Sequence, residues 1–226
     1  MKTVLITGAN KGLGLEFARQ LKEKGYYVIG CCRNPSEANE LKPLADEVIQ
    51  LDVTSDQDIA SLKQNLNNRP IDLLVNNAGT SGEQGVTIGN IDRENFLAVI
   101  NVNCVSVVKL SDALLPNIEA SQEKNILVIS SVMGSITENK SGKSYAYRTS
   151  KAAVNCVMRS FAIDVQNKGI HVMLIHPGWV KTAMGGPNAS IDAKTSVAKI
   201  LKQAEQEFAH SHADKLLTYE GDVIAW

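Results

Sequence analysis

Short apolar segments alternate with helical segments along the chain, and this alternation is the feature that most constrains its fold. Each apolar segment has the length of a β-strand and is bounded by turn-forming or polar residues. Strands that are apolar on both faces must be covered on both faces, which favours a mostly parallel sheet. The predicted strands are TVLITG (3–8), YYVIGCC (26–32), EVIQLD (47–52), IDLLVNNAG (71–79), NILVISS (125–131) and GIHVMLIHPG (169–178), with a shorter one near Leu216.

The segments between the strands carry apolar residues at the spacing of one helix face. A chain of 226 residues is long enough for one large core. Strands and helices in alternation therefore predict a single-domain, doubly wound α/β fold over residues 1–226. The predicted helices cover 13–25, 56–66, a long stretch from about 93 that ends near Pro116, 145–168 and about 194–209.

Composition argues against several classes of partner. The net charge is -1 and the pI is about 6.4, so no basic excess indicates binding to nucleic acid or to an anionic membrane. The first apolar run, Val4 to Ile6, is too short for a signal peptide or a membrane span, which predicts a cytoplasmic protein. The 4 cysteines form no CxxC pair, and no cluster of cysteine and histidine indicates a metal site.

The first predicted strand ends in a glycine-rich turn, TGANKGLG (7–14), which contains Gly8, Gly12 and Gly14. Glycines let the backbone approach a pyrophosphate, and the following helix offers free N–H groups. The spacing is GxxxGxG, so a turn that only closes a strand–helix unit stays an alternative. A second glycine-containing segment, TENKSGKS (137–144), begins with Thr137 where a P-loop requires glycine, which argues against a nucleoside triphosphate site.

The end of the second strand bears on the choice of cofactor. An NAD site usually carries an acidic residue there for the ribose 2′-hydroxyl. This chain instead reads VIGCCRNP (28–35), with Arg33, and Lys11 lies in the glycine-rich turn. Two cations suit a 2′-phosphate, so NADP(H) is favoured and NAD(H) is the alternative cofactor; solvated surface charges are the other explanation. Asp52 follows the third strand, where it could accept a hydrogen bond from the adenine amino group.

Several motifs follow one another along the chain: TGANKGLG, NNAG (76–79), Asn103, ISS (129–131), Tyr147-x-x-x-Lys151 and HPGWVKT (176–182). With them, the chain resembles the classical short-chain dehydrogenase/reductases over nearly its whole length. Within that family it is similar to the sniffer-type carbonyl reductases and the bacterial C-factor proteins. That closer likeness rests on SYAYRTSKAAVN (144–155), HPGWVKTAMGG (176–186) and YEGDVIAW (219–226). The resemblance implies one Rossmann-type domain that reduces a small carbonyl substrate.

The resemblance also implies a role for each matching residue. Ser131 would hydrogen-bond the substrate carbonyl, Tyr147 would be the acid–base, and Lys151 would tune it and hold the nicotinamide ribose. Asn103 would anchor a water relay to that lysine; a satisfied core amide is the alternative. The implied cofactor-binding residues are Gly8, Asn10, Lys11, Gly12, Leu13, Gly14, Arg33, Asp52, Val53, Asn77, Ala78, Gly79, Tyr147, Lys151, Pro177, Gly178, Val180 and Thr182.

Helical spacing separates the two tyrosines of this motif. A free tyrosine has a pKa near ~10, and a nearby cation would lower it. Residues four apart share a helix face, so Lys151 serves Tyr147, whereas Tyr145 is six residues away and turned aside. Ser131 ends its strand on the side of the expected crevice, and Ser130 should face the other way.

Other functions stay open at this point. A C-factor-like signalling or regulatory protein that binds NAD(P) with little turnover is the main alternative. The chain contains no GxSxG, which argues against a hydrolase, and it is too short for the substrate domain of a sugar-nucleotide epimerase. The family resemblance implies a homodimer or homotetramer through the long helices at about 93–115 and 145–168.

Overall fold

The computed structural model describes residues 1–226, and all of its strands belong to one sheet. The strands are β1 (Thr3–Thr7), β2 (Tyr27–Cys32), β3 (Glu47–Gln50), β4 (Leu73–Asn76), β5 (Asn125–Ile129), β6 (His171–His176), β7 (His212–Thr218) and β8 (Val223–Ile224). The strand order is β3-β2-β1-β4-β5-β6-β7-β8, and every pair is parallel except the last, β7 with β8. The predicted single-domain, doubly wound α/β fold is confirmed.

Helices cover both faces of the sheet. Successive strand residues point to opposite faces, so Leu5 joins the core under α2, α4 and α6, while Ile6 joins the core under α1 and α7. Both side chains are fully buried. The helices are α1 (Gly12–Glu23), α2 (Asp56–Leu66), α3 (Arg93–Ile100), α4 (Ser106–Ala113), α5 (Leu115–Glu119), α6 (Tyr145–Val165) and α7 (Ala193–Glu207).

The long helix predicted from about residue 93 differs from the prediction in two ways. A π-helical segment, Asn101–Val105, separates α3 from α4. Pro116 does not end the helical region, because it lies in the first turn of the short α5. A proline is tolerated in a first turn, where its missing N–H would have no partner in any case. The antiparallel edge strand β8 was not predicted.

The same region, Arg93–Ala113, is long and apolar enough to cross a membrane by length and composition alone, and 39% of its apolar 18-residue window is buried in this structure. The core helix of a folded protein meets the same criterion. Here Asn103, in the middle of the stretch, donates a hydrogen bond to Ser150 of α6. The stretch therefore packs as a core element of the α/β fold.

Candidate active site

Ser131 and Tyr147 meet just beyond the carboxyl end of β5. Ser131 follows the strand in an extended conformation, and its hydroxyl caps a single helical turn by accepting a hydrogen bond from the Met133 N–H at 3.1 Å. The Tyr147 phenol lies close enough to this hydroxyl for Ser131 to affect its pKa. Burial raises the pKa of Tyr147, and the contact with Ser131 opposes that rise.

Lys151 lies one turn further along α6, on the same face as Tyr147. Its Nζ is 5.7 Å from the centre of the Tyr147 ring and donates a hydrogen bond to the Ile129 carbonyl oxygen at 2.8 Å. The side chain is buried, and burial lowers its pKa to about 8. Helical spacing thus brings the pair together. The lowered pKa expected for Tyr147 is not found, because burial outweighs other influences on its phenol.

The residues next to the catalytic candidates have different surroundings. Tyr145 is the half-buried first residue of α6 and lines a surface cleft beside Tyr147. Ser130 donates a hydrogen bond to Asn155 Oδ1 at 2.5 Å, two turns of α6 beyond Tyr147. Of the two serines that follow β5, Ser131 is therefore the one that lies near the phenol.

Asn103 lies in the π-helical segment and is almost fully buried. Its Oδ1 accepts a hydrogen bond from Thr80 N at 2.9 Å, and its Nδ2 donates to Thr80 O at 2.8 Å and to Ser150 Oγ at 2.9 Å. Ser150 in turn donates to the carbonyl oxygen of Tyr147 at 2.8 Å. The Asn103 amide thus ties the loop after β4 to the turn that carries Tyr147, and it forms no hydrogen bond with Lys151.

The glycine-rich turn after β1 is closed so tightly that a side chain would not fit at its third glycine. A Cβ added to Gly14 would lie 2.2 Å from the Gly8 carbonyl oxygen and 2.6 Å from Asn77 Nδ2. Gly8 and Gly12 adopt φ values of +63° and +56°, which favour glycine. The turn therefore presents bare backbone at the start of α1, as a phosphate cradle requires.

Thr7 joins this turn to the loop after β4, although sequence reasoning gave it no role. Its hydroxyl accepts hydrogen bonds from Asn77 N at 3.0 Å and Ala78 N at 2.9 Å. Asn77 Nδ2 donates back to Thr7 O at 2.8 Å and to Gly8 O at 3.2 Å. The only signal in the sequence was its position within TGANKGLG.

Two exposed cations lie at the carboxyl ends of β1 and β2. Lys11 precedes α1 and Arg33 follows β2, and neither takes part in a side-chain hydrogen bond or an ion pair. Asp52 Oδ1 accepts hydrogen bonds from the Thr54 N–H at 2.9 Å and from the Thr54 hydroxyl at 2.7 Å. These bonds lower the pKa of Asp52, and the charge of Arg33 lowers it further. Two unpaired cations beside a bare-backbone cradle fit a dinucleotide that carries a 2′-phosphate.

The loop after β6 closes the other side of the cradle. Thr182 Cγ2 would lie 3.4 Å from a Cβ on Gly12, and the Thr182 hydroxyl accepts a hydrogen bond from Gly185 N at 3.1 Å. Val180 is buried and pairs with Ile191. The Pro177 carbonyl accepts a hydrogen bond from the Ser196 hydroxyl at 2.6 Å, and Gly178 adopts φ +84°. The other predicted cofactor residues lie at the same strand ends: Asn10, Leu13, Val53, Gly79, Pro177 and Gly178.

Comparison with known proteins identifies relatives of this chain. Residues 2–193 match the family model described as short chain dehydrogenase. The protein named C-signal from Myxococcus xanthus is 34% identical over 157 residues, which are 70% of this chain and 93% of that protein.

Solved structures give the same result over the whole chain. A short-chain dehydrogenase/reductase from Burkholderia multivorans with bound NADP has a TM-score of 0.90 and 31% identity, covering 100% of this chain and 99% of that one. The carbonyl reductase Sniffer of D. melanogaster has a TM-score of 0.88 and 30% identity, covering 100% of both chains. The expected family resemblance is confirmed.

Proposed function

Because this chain belongs to the short-chain dehydrogenase/reductase family, in a branch with Sniffer and C-signal, we propose that it is an NADPH-dependent carbonyl reductase. Its substrate would be an aldehyde, ketone or quinone, and its product the alcohol. One observation supports this most directly. The Ser131 hydroxyl lies near the Tyr147 phenol, whose pKa it affects, and Lys151 lies one turn away on the same helix face.

The proposed reaction assigns one task to each of these residues. NADPH, when bound, would supply the hydride that the carbonyl carbon receives. Tyr147 transfers its phenolic proton to the carbonyl oxygen, so that the alcohol leaves neutral. Ser131 donates a hydrogen bond to the same oxygen and favours the charge that develops there. Lys151, when protonated, stabilises the phenolate that remains on Tyr147.

The proposed preference for NADPH over NADH rests on Lys11 and Arg33. Neither side chain forms a hydrogen bond or an ion pair, so their charges are available to a 2′-phosphate. The Burkholderia multivorans relative, which has bound NADP, supports the same choice. Hydrogen bonds to charged groups contribute roughly 1.5–3 kcal/mol each, which is enough to set a strong preference.

Reduction of a panel of aldehydes, ketones and quinones tests this proposal. The purified protein is expected to oxidise NADPH, followed at its absorbance band, and to do so more efficiently than NADH. Tyr147→Phe should abolish the activity. A variant that keeps most of its activity would overturn the acid–base assignment.

A signalling role is the second candidate, and the similarity to C-signal favours it. Such a protein would bind NADPH but turn over little. Calorimetry separates the two candidates, because a clear heat of NADPH binding with no turnover across the panel would favour signalling.

We also propose that the protein acts in the cytoplasm as a homodimer or homotetramer. Leu97 of α3, Val105 of the π-helical segment and Ile163 of α6 are 59%, 39% and 53% exposed. Exposed apolar side chains on these helices suit the pairing of two copies. Light scattering on the purified protein tests this, and a monomer at all concentrations would contradict it.

A further inference from the structure

A small polar cluster is buried between α6 and the carboxyl ends of β5 and β6. Asn155 of α6 is almost fully buried, and its Oδ1 accepts the hydrogen bond from Ser130 at 2.5 Å. Its Nδ2 is buried as well but has no hydrogen-bond partner. The Nδ1 atom of His176, the last residue of β6, is also buried without a partner. The cluster therefore contains two polar atoms that the mechanism above does not use.

Strand register places His176 on the same face of the sheet as Ser130. Ile129 of β5 pairs with Ile175 of β6, and Ser130 N donates to Ile175 O at 2.8 Å. Both isoleucines belong to the core under α1 and α7, and successive strand residues point to opposite faces. Ser130 and His176 therefore point to the face covered by α6, where Ser130 meets Asn155.

The two unpartnered atoms have complementary chemistry. The N–H groups of a side-chain amide can only donate, so Asn155 Nδ2 requires an acceptor. Burial lowers the pKa of His176 to about 4, so the ring is neutral at pH 7 and has one acceptor nitrogen. Leaving a polar atom buried and unpartnered is costly, which favours an arrangement that joins the two.

The Asn155 amide lies where it can fix the packing of α6 against the end of β5. It is one turn beyond Lys151, and through Ser130 it holds the segment that continues into Ser131. A Cβ added to Gly134 would lie 3.0 Å from Asn155 Nδ2 and 2.8 Å from the carbonyl carbon of Lys151. The turn after Ser131 thus packs closely on α6 at this point, and movement of the amide would disturb it.

We propose that His176 is a positioning residue for the acid–base group: its Nδ1 accepts a hydrogen bond from Asn155 Nδ2, directly or through one water molecule. The Ser130 hydroxyl can donate or accept, so by itself it does not fix which way the Asn155 amide faces. An acceptor at His176 does fix it, and Ser131 then keeps its place beside Tyr147. The inference rests on the proposed carbonyl reductase function and adds a residue to the machinery that this function needs.

Kinetics of variants at position 176 test this role. His176→Leu removes the acceptor and is expected to lower kcat about tenfold, because a misplacement of 1 Å can cost about 100-fold and this shift is smaller. KM and NADPH affinity should change little. His176→Asn supplies an amide oxygen as acceptor and should restore most of kcat. The matched control is His171→Leu, which removes a buried, unpartnered Nδ1 at the opposite end of β6 and should keep wild-type kcat.

A double-mutant cycle tests the contact between the two side chains. Asn155→Ala removes the donor, so adding His176→Leu to that variant should lower kcat no further. The losses in the free energy of unfolding, measured by urea denaturation, should also be less than additive. Additive losses, or wild-type kcat in His176→Leu, overturn the inference while the proposed function stands.

Heteronuclear NMR of the imidazole nitrogens examines the wild-type protein, so it does not depend on any variant that fails to fold. The chain has 4 histidines, which keeps the spectrum simple. The proton of His176 is expected on Nε2, with Nδ1 as a hydrogen-bonded acceptor; a proton on Nδ1 overturns the inference. If no carbonyl compound is reduced, the proposed function fails, and this spectrum and the stability cycle still decide the inference.

Discussion

The Nζ atom of Lys151 lies 5.7 Å from the centre of the Tyr147 ring, and it donates a hydrogen bond to the Ile129 carbonyl oxygen at 2.8 Å. That bond uses one of the three N–H groups of the ammonium ion. The lysine is therefore fixed at the end of β5, close to Tyr147 and with donors to spare. The position of Lys151 beside Tyr147 gives the two tyrosines of α6, Tyr145 and Tyr147, different expected roles.

Replacing each tyrosine of the motif by phenylalanine tests which one transfers the proton. Tyr147→Phe is expected to lower kcat for carbonyl reduction by at least about 100-fold, because a positioned general acid contributes that much or more. Tyr145→Phe keeps the aromatic ring at the edge of the cleft and should leave kcat close to that of the wild type. Steady-state kinetics on both variants, with NADPH affinity measured separately, provide the comparison. Similar losses in both variants would contradict the assignment.

The rate of carbonyl reduction is expected to fall as the pH rises past about 8. Burial lowers the pKa of Lys151 to about 8, so the lysine is protonated below that pH and neutral above it. Only the protonated form stabilises a phenolate on Tyr147. A profile of kcat/KM between pH 6 and 10, which reports groups of the free enzyme, checks this prediction.

A lysine-to-arginine substitution provides the control for the pH profile. The guanidinium of Lys151→Arg stays charged throughout this range, because its pKa is above about 12. The variant should have lower activity from altered geometry, but its remaining activity should not fall near pH 8. The same alkaline decline in both proteins would show that another group is responsible.

The preference for NADPH should depend on the two unpaired cations. Removing one charge with Lys11→Ala or Arg33→Ala is expected to weaken NADPH binding roughly tenfold to a hundredfold, because each removes a charge-assisted contact with the 2′-phosphate. NADH binding should change little, since NADH lacks that phosphate. Fluorescence titrations with both cofactors make the measurement. An equal loss of NADPH and NADH affinity would mean that the residues support the fold rather than recognise the phosphate.

The parts of the site that could be predicted from sequence are those fixed by local spacing. Residues four apart share a helix face, and this alone predicts that Tyr147 and Lys151 lie together. The three closely spaced glycines of TGANKGLG alone indicate the bare backbone around Gly14. The alternation of apolar strands with helices was sufficient for the parallel sheet, because fully apolar strands need cover on both faces.

The remaining features depend on contacts between segments far apart in the chain. Thr80 and Ser150 could not be recognised as partners of Asn103, because nothing local to either residue marks the pairing. The π-helical segment around Asn103 was missed since the apolar stripe continues through it. The direction of the Tyr147 pKa shift was wrong for a similar reason: burial, which only the packed structure defines, raises the pKa, and the opposing influence comes from Ser131 rather than from the lysine.

The Asn103 amide is expected to position the turn that carries Tyr147. Asn103→Leu removes three hydrogen bonds and takes the Asn103 partner from the N–H and C=O of the half-buried Thr80, at a cost of up to about 1–3 kcal/mol for an unsatisfied group. The free energy of unfolding should fall by an amount in that range, as measured by urea denaturation. The kcat value should fall more than the NADPH affinity, because none of the three hydrogen bonds of this amide reaches the glycine-rich turn at Gly8 and Gly14.

The alternative substitution Ser150→Ala separates positioning from general stability. It removes the two bonds of the Ser150 hydroxyl, one from Asn103 and one to the Tyr147 carbonyl oxygen, and leaves both bonds between Asn103 and Thr80 intact. If Asn103 acts by positioning, Ser150→Ala should lower kcat with a smaller loss of stability than Asn103→Leu. If it instead keeps wild-type kcat while Asn103→Leu loses activity, the amide acts by a route other than the Tyr147 turn. The water relay to Lys151 would then be the hypothesis to test next.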